Sequence, residues 1–319
     1  MSISIQRVGA VVFLGVVLSV LAGCVPSAEM KLNLSPQSET TYKVVTESGK
    51  DYSFVQPSVN KTKERHTFGR VEMVFSQKVE SINSKGVATA VITIKELRYT
   101  TDGPKGTSLD FDSASEKGKS DPIFAVIGQS YKISISPTGK VGTLDAQAVR
   151  SAIDSGSAKK FADRLFSDDE IKSRHQVLAL IDAGKAAKKG DKWVAVSASP
   201  QGMLRPKSFE KTYTITDIKQ QGSDKIATVS MNAAPSSKRV EDTPKEEANT
   251  GLFAKMFDEK DSYTGKMVIN LTNGQIISYQ EQLKAEWFAA ESPDEQKSDK
   301  GPDQLTMGFT SLYSIEKVK

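Results

Sequence analysis

Two pairs of glycine-centred turns constrain this 319-residue chain more than any other feature. Val79, Ile82 and Gly86 stand at offsets 0, 3 and 7 in VESINSKG, ahead of the alternating run Val87 to Ile94. Ile215, Ile218 and Gly222 stand at the same offsets in ITDIKQQG, ahead of Ile226 to Met231. Alternation with period two marks a strand and glycine supplies the turn, so each segment reads as a β-hairpin. Further on, YKISISPTGKV (Tyr131 to Val141) is matched by MVINLTNGQI (Met267 to Ile276), turning on Gly139 and Gly274, where a positive φ is expected. The two turns lie 53 residues apart from Gly86 to Gly139 and 52 from Gly222 to Gly274, which predicts a duplicated unit of about 130 residues.

A third landmark follows the same plan. Ile123-Phe124-Ala125-Val126-Ile127 precedes the later hairpin of the first half, and Leu252 to Phe257 precedes that of the second; both emerge from polar, charge-rich loops. Between the halves, Ser167-Asp-Asp-Glu170 forms a capping box, with Ile171, Leu178 and Ile181 on one face of a helix expected to end near Gly184. Shorter helices are expected from Asp145 to Ile153 and from Ser157 to Phe166. The fold class is therefore β-rich α+β: two similar antiparallel β-sheet halves, each with short covering helices, joined by a helical segment from about Leu144 to Ala187. Residues 30–187 form the first repeat with the connector, and residues 188–319 the second.

The N-terminus carries an address. One charge, Arg7, precedes the uncharged run Val8 to Leu21, too short for the roughly 20 residues that a membrane-spanning helix needs. Leu21-Ala22-Gly23-Cys24 resembles the lipobox of bacterial lipoproteins in all four positions. The small Ala22 and Gly23 allow an extended backbone into a peptidase cleft, and the thiol is the nucleophile on which a diacylglycerol can be loaded. The resemblance implies that residues 1–23 are a signal peptide, that Cys24 is lipidated and that 24–29 is a tether. Two or three acyl chains anchor stably, at about 0.8 kcal/mol per buried CH₂. Val25 and Pro26 after the cysteine, with no Asp at the second mature position, resemble outer-membrane sorting. The expected location is the bacterial cell envelope, lipid-anchored to the outer membrane and facing the periplasm.

Composition excludes several functions. Without residues 1–23 the chain carries +3 over 296 residues, too balanced to steer toward nucleic acid. Cys24 is the one cysteine, so no intramolecular disulfide is available. Only His66 and His175 offer imidazole, and a zinc site of His and Cys is excluded. Gly118-Lys-Ser lacks the leading glycine of a phosphate loop, since Ser113 stands there. Asp110, Asp112 and Asp121 fit positions 1, 3 and 12 of a calcium loop, but Ala114 and Ser115 occupy positions that need a ligand and a glycine. Ser157 to Lys160 and Ser208 to Lys211 fit Ser-x-x-Lys without its companion signatures. Glu281 and Glu286 beside Trp287 are the most tempting carboxylate pair, yet an odd separation puts them on opposite faces of a strand. No catalytic set assembles, so the chain reads as a non-enzyme without cofactor or metal.

The plan of sheet and helix resembles the half-barrel lipoprotein carriers of the bacterial envelope (LolA/LolB-like), and lipobox plus duplication resembles bacterial lipoproteins of unknown function. Two expectations follow: an apolar ligand or lipid held between sheet and helices, with Phe124, Ile127, Phe253 and Phe257 as contacts, or a scaffold contacting another envelope protein. The partners implied are the membrane, through Cys24, and a lipid or a second envelope protein; nucleic acid is not among them.

Overall fold

The computed structural model describes residues 29–103, 106–181, 184–240, 257–292, 294, 296 and 299–318. The lipobox residues Leu21 to Cys24 and Phe253 lie outside them. Twelve strands form one antiparallel sheet: β1 (Glu39–Gln56), β2 (Lys61–Ile82), β3 (Ala88–Gly103), β4 (Gly106–Asp112), β5 (Ser130–Ile135), β6 (Val141–Asp145), β7 (Lys192–Ala198), β8 (Ser208–Gln221), β9 (Asp224–Ser236), β10 (Asp258–Asn270), β11 (Gln275–Ala290) and β12 (Gln304–Lys317). The strand order is β6-β5-β3-β2-β1-β12-β11-β10-β9-β8-β7, with β4 sharing an edge of β3 with β5. The halves are therefore not two separate sheets. β1 and β12 pair from Tyr42↔Lys317 to Val55↔Gln304 and join them into one.

The turn glycines do what the sequence asks of them. Gly86, Gly139, Gly222 and Gly274 all have positive φ, between 60° and 77°. At Gly139 a side chain is also excluded by space, because a Cβ would lie 2.2 Å from the Val177 carbonyl oxygen. Each first hairpin carries a β-bulge at the same place: Glu80 is extra in β2 and Thr216 is extra in β8, both six residues before the turn glycine. A third bulge at Lys95 changes the parity of β3, so that Ala88, Ala90, Ile92 and Ile94 face inward before it and Leu97 and Tyr99 after it.

The helices are α1 (Glu116–Lys119), α2 (Gln147–Arg150), α3 (Gly156–Leu165) and α4 (Asp168–His175); α3 falls within one residue of the expected Ser157 to Phe166, while α2 and α4 are shorter than expected. Ser167 caps α4 by accepting from the Glu170 backbone N–H at 3.3 Å, as the capping box predicts. The helix nevertheless stops at His175 and not near Gly184. Beyond it, the backbone is used elsewhere: Val177 N–H donates to the Gly139 carbonyl at 3.2 Å and Ile181 N–H to the Met30 carbonyl at 2.9 Å. Leu178 and Ile181 therefore lie in irregular chain. Phe124 falls in a 3-10 turn, Pro122–Val126, which Asp121 caps through the Ile123 N–H. The buried faces of these segments, including Ile123, Val149, Phe161, Leu165, Phe166 and Ile171, share one core cluster with the inward faces of the strands. No helix among the described residues is long and apolar enough to cross a membrane.

Candidate functional site

On the inward face a row of residues stands in register from β8 to β3: Tyr213, Met231, Gly265, Glu281, Tyr313, Thr46, Val71 and Tyr99. Lys211 is one inward position along β8 from Tyr213, and only 4% exposed. Three strand intervals separate β8 from β11, about 14 Å in a flat sheet, farther than the two side chains together can span. Lys211 Nζ nevertheless donates to Glu281 Oε1 at 2.8 Å and Oε2 at 2.7 Å. The sheet is therefore concave here. Gly265 keeps the path open, since a Cβ at that position would lie 3.4 Å from Glu281 Cγ and 2.8 Å from the Gln280 carbonyl oxygen.

Tyrosines complete the cluster. The Tyr263 hydroxyl donates to Glu281 Oε2 at 2.7 Å, and the Tyr279 hydroxyl donates to Oε1. Lys211 Nζ also lies over the Tyr263 ring, 4.7 Å from its centroid. Burial opposes the charge of Glu281, but Lys211 and the two phenol donors outweigh it and hold the carboxyl below its ordinary range. Burial, reinforced by the Glu281 charge, pushes both phenols well above the ordinary value, so they remain donors. Tyr213 is pushed the same way; its hydroxyl lies near Tyr279 but makes no hydrogen bond of ordinary geometry among the described residues.

This cluster forms part of the wall of a cavity of about 490 Å³. Strands β1, β2, β8, β10, β11 and β12 line one side, and Phe161, Leu165, Glu170 and Ser173 of α3 and α4 line the other. Leu283, Val71, Tyr99 and Leu178 supply apolar surface, and Ser197 of β7 is also in the lining, its buried hydroxyl without a hydrogen-bond partner among the described residues. Cavities of this size, mostly apolar with a few placed polar groups, are the usual form of a small-molecule site.

A second buried polar group sits under α4. The Tyr131 hydroxyl and His175 Nε2 are 2.6 Å apart, with the Phe75 ring edge-on to the imidazole at 4.6 Å. Burial, then the neighbouring Arg174 charge, drives His175 well below its ordinary value, so it is neutral. It holds helix to sheet and does not line the cavity.

The residues expected as ligand contacts are placed elsewhere. Phe124, Ile127 and Phe257 are half-buried and pack on the core cluster, but none lines the cavity. The two carboxylates separate as strand parity requires: Glu281 faces inward, while Glu286 is exposed on the outer face. His66 is exposed on β2, its Nδ1 2.6 Å from Asp51. Asp112 accepts from the Ala114 N–H and pairs with Arg98, whereas Asp121 caps the 3-10 turn, so these acids serve local structure. Lys211 was visible in sequence only as a stray Ser-x-x-Lys match. The informative signal was its parity, a lysine between Phe209 and Tyr213 in the inward register, just as Glu281 stands between Tyr279 and Leu283.

Comparison with known proteins adds a family and no activity. No curated protein matches the sequence. Among solved structures, the chain is similar to lipovitellin, described for its lipid–protein interactions, with a TM-score of 0.40 and 9% identity; the match covers 89% of this chain and 25% of that one. It is also similar to DynF of the dynemicin biosynthesis pathway of Micromonospora chersina (TM-score 0.14, 8% identity, 88% of this chain and 82% of that). A third is a DUF1329 family protein from Desulfovibrio piger ATCC 29098 (TM-score 0.12, 8% identity, 84% of each chain). The chain spans about a quarter of the lipovitellin chain. The sequence match over residues 85–276 takes in more than half of the chain, from the first glycine turn to the last, and on that match the protein belongs to a family of unknown function, DUF6263.

Proposed function

We propose that this protein is a lipid-anchored envelope protein that holds a mainly apolar ligand, such as an acyl chain, in the cavity between the concave sheet and helices α3 and α4, and catalyses no reaction. The observation that carries this reading is the cavity itself: about 490 Å³ of space between the sheet and helices α3 and α4. A scaffold needs no such space. Most of the surface facing the cavity is apolar, which suits an acyl chain, while charged groups stand on the sheet at Lys211 and Glu281 and at the helix side at Arg164 and Glu170.

The address belongs to the same proposal. Cys24, acylated after removal of residues 1–23, stands five residues before Glu29, a tether of under about 18 Å when extended, so the folded part sits close to the bilayer. Outer-membrane attachment facing the periplasm follows from Val25 and Pro26. The proposal also takes the halves, 30–187 and 188–319, as two copies of one unit, on the strength of matched glycine turns and matched bulges at Glu80 and Thr216.

The decisive experiment purifies the acylated full chain and identifies co-extracted lipids by mass spectrometry, alongside a Ser311→Trp variant that fills the cavity. The expected result is a stoichiometric lipid on the native chain that is lost from the variant, with the melting temperature retained. Equal lipid on both, or none on the native chain with a reproducible protein partner instead, overturns the reading; the latter result favours a scaffold. Cys24→Ser is expected to move the protein out of the membrane fraction.

A further inference from the structure

The charge balance at the cavity wall names the class of ligand, and this step rests on the ligand-binding reading above. Lys211 and Glu281 face the cavity as a closed pair, with both carboxylate oxygens bonded to the ammonium and each also taking a phenol hydrogen. An ammonium has three N–H groups. Two are spent on Glu281, which leaves one. Ser197, 9% exposed, stands two positions along β7 from Ala195, the residue opposite Lys211, and so shares its face. Ser197 is among the residues that line the cavity, and its hydroxyl, buried beneath that wall, has no hydrogen-bond partner among the described residues. The free capacity at this wall is therefore one N–H donor and the remaining lone pairs of Tyr263 and Tyr279, with the Ser197 hydroxyl just beneath it.

An anionic head would gain little here. Its attraction to Lys211 is nearly cancelled by its repulsion from Glu281, and losing its water shell is left uncompensated. At the helix side the exposed Arg164 donates to the Tyr99 hydroxyl at 3.0 Å and lines the cavity with Glu170; over the whole lining Glu47, Glu170 and Glu281 stand against Arg164 and Lys211, so the wall is not a cationic one. A neutral head with hydroxyl or ester groups needs only hydrogen bonds, and those are what the wall has left. We propose that the cavity takes amphiphiles with an uncharged, hydrogen-bonding head, of the acylglycerol type, in preference to free fatty acids of the same chain length.

The test is competition. The acylated full chain is loaded with the neutral fluorophore N-phenyl-1-naphthylamine, which is displaced with 1-monolaurin or with laurate at a pH where laurate is ionised. Monolaurin is expected to compete roughly tenfold better or more. In Glu281→Gln the Lys211 charge is unopposed, and the preference is expected to shift toward laurate; folding of the variant is checked by its urea midpoint. The comparison on the native chain stands by itself should that variant not fold. Laurate competing equally or better on the native chain overturns the head-group inference while leaving the cavity reading intact. Failure of either compound, and of the fluorophore, to bind overturns the cavity reading itself.

Discussion

Two buried polar groups of this molecule, Lys211 with Glu281 in the second half and Tyr131 with His175 in the first, were met by different solutions. In the first half α4 lies over the strands, and an imidazole held without charge against a phenol stands beside the buried Arg174 guanidinium. In the second half the pair is ionised, ringed by tyrosines and bordered by a cavity. The contrast follows from how each buried positive charge is met. Under α4 the buried Arg174 guanidinium is held by the Leu165 carbonyl and the Phe166 ring, and burial together with that charge keeps the neighbouring imidazole neutral, whereas at the cavity wall the Lys211 charge is met by a carboxylate with donors to spare.

The comparison is broken most severely at Glu281. Glu281→Ala leaves the Lys211 charge buried without its partner and is expected to cost about 3–5 kcal/mol in urea unfolding. Replacing both, Lys211→Met with Glu281→Leu, is expected to be near neutral or stabilising by comparison; a loss as large as that of the single variant would show that the pair itself is not the main term. In the first half Tyr131→Phe strands His175 Nε2 without its hydrogen bond, with an expected loss of about 1–3 kcal/mol by the same measurement.

Acid separates the two groups further. His175 is depressed well below 6.5 in the folded protein, so the unfolded chain takes up its proton first and the associated stability, present above pH 6.5, is lost as pH falls below it. Between about pH 6.5 and 5.5 the native chain is expected to lose about 1 kcal/mol more than His175→Phe, read from urea midpoints across that window. Glu281 is also depressed, from 4.5, so its stability is present above that value and disappears only as pH falls through the folded value. Both groups weaken the fold in acid, but in different windows. The smallest effect is expected at Glu286→Gln, on the outer face of the same strand as Glu281, within about 0.5 kcal/mol of the native chain.

Much of the frame could be read without coordinates. The glycine turns at 86, 139, 222 and 274 are local, because only glycine takes those φ values cheaply, and the hairpins they make are contiguous in sequence. The cap at Ser167 is local for the same reason. The end of α4 was not, because Leu178 and Ile181 keep helical spacing while the backbone N–H groups of Val177 and Ile181 are claimed by Gly139 and Met30, far away in the chain. That Phe124 and Ile127 pack on the core and do not line the cavity was not legible, because an apolar cluster reads alike whether it caps a core or lines a space.

Strand and turn positions, the inward parity of Lys211 and Glu281, and the separation of Glu281 from Glu286 were determined by the amino-acid order alone, since periodicity and turn chemistry act over a few residues. That β1 and β12 would close the halves into one sheet, and that its curvature would carry a lysine on β8 to a glutamate on β11, was decided only in three dimensions. Pairing between strands hundreds of residues apart depends on which faces find each other, and a cavity is a property of surfaces that no single segment contains.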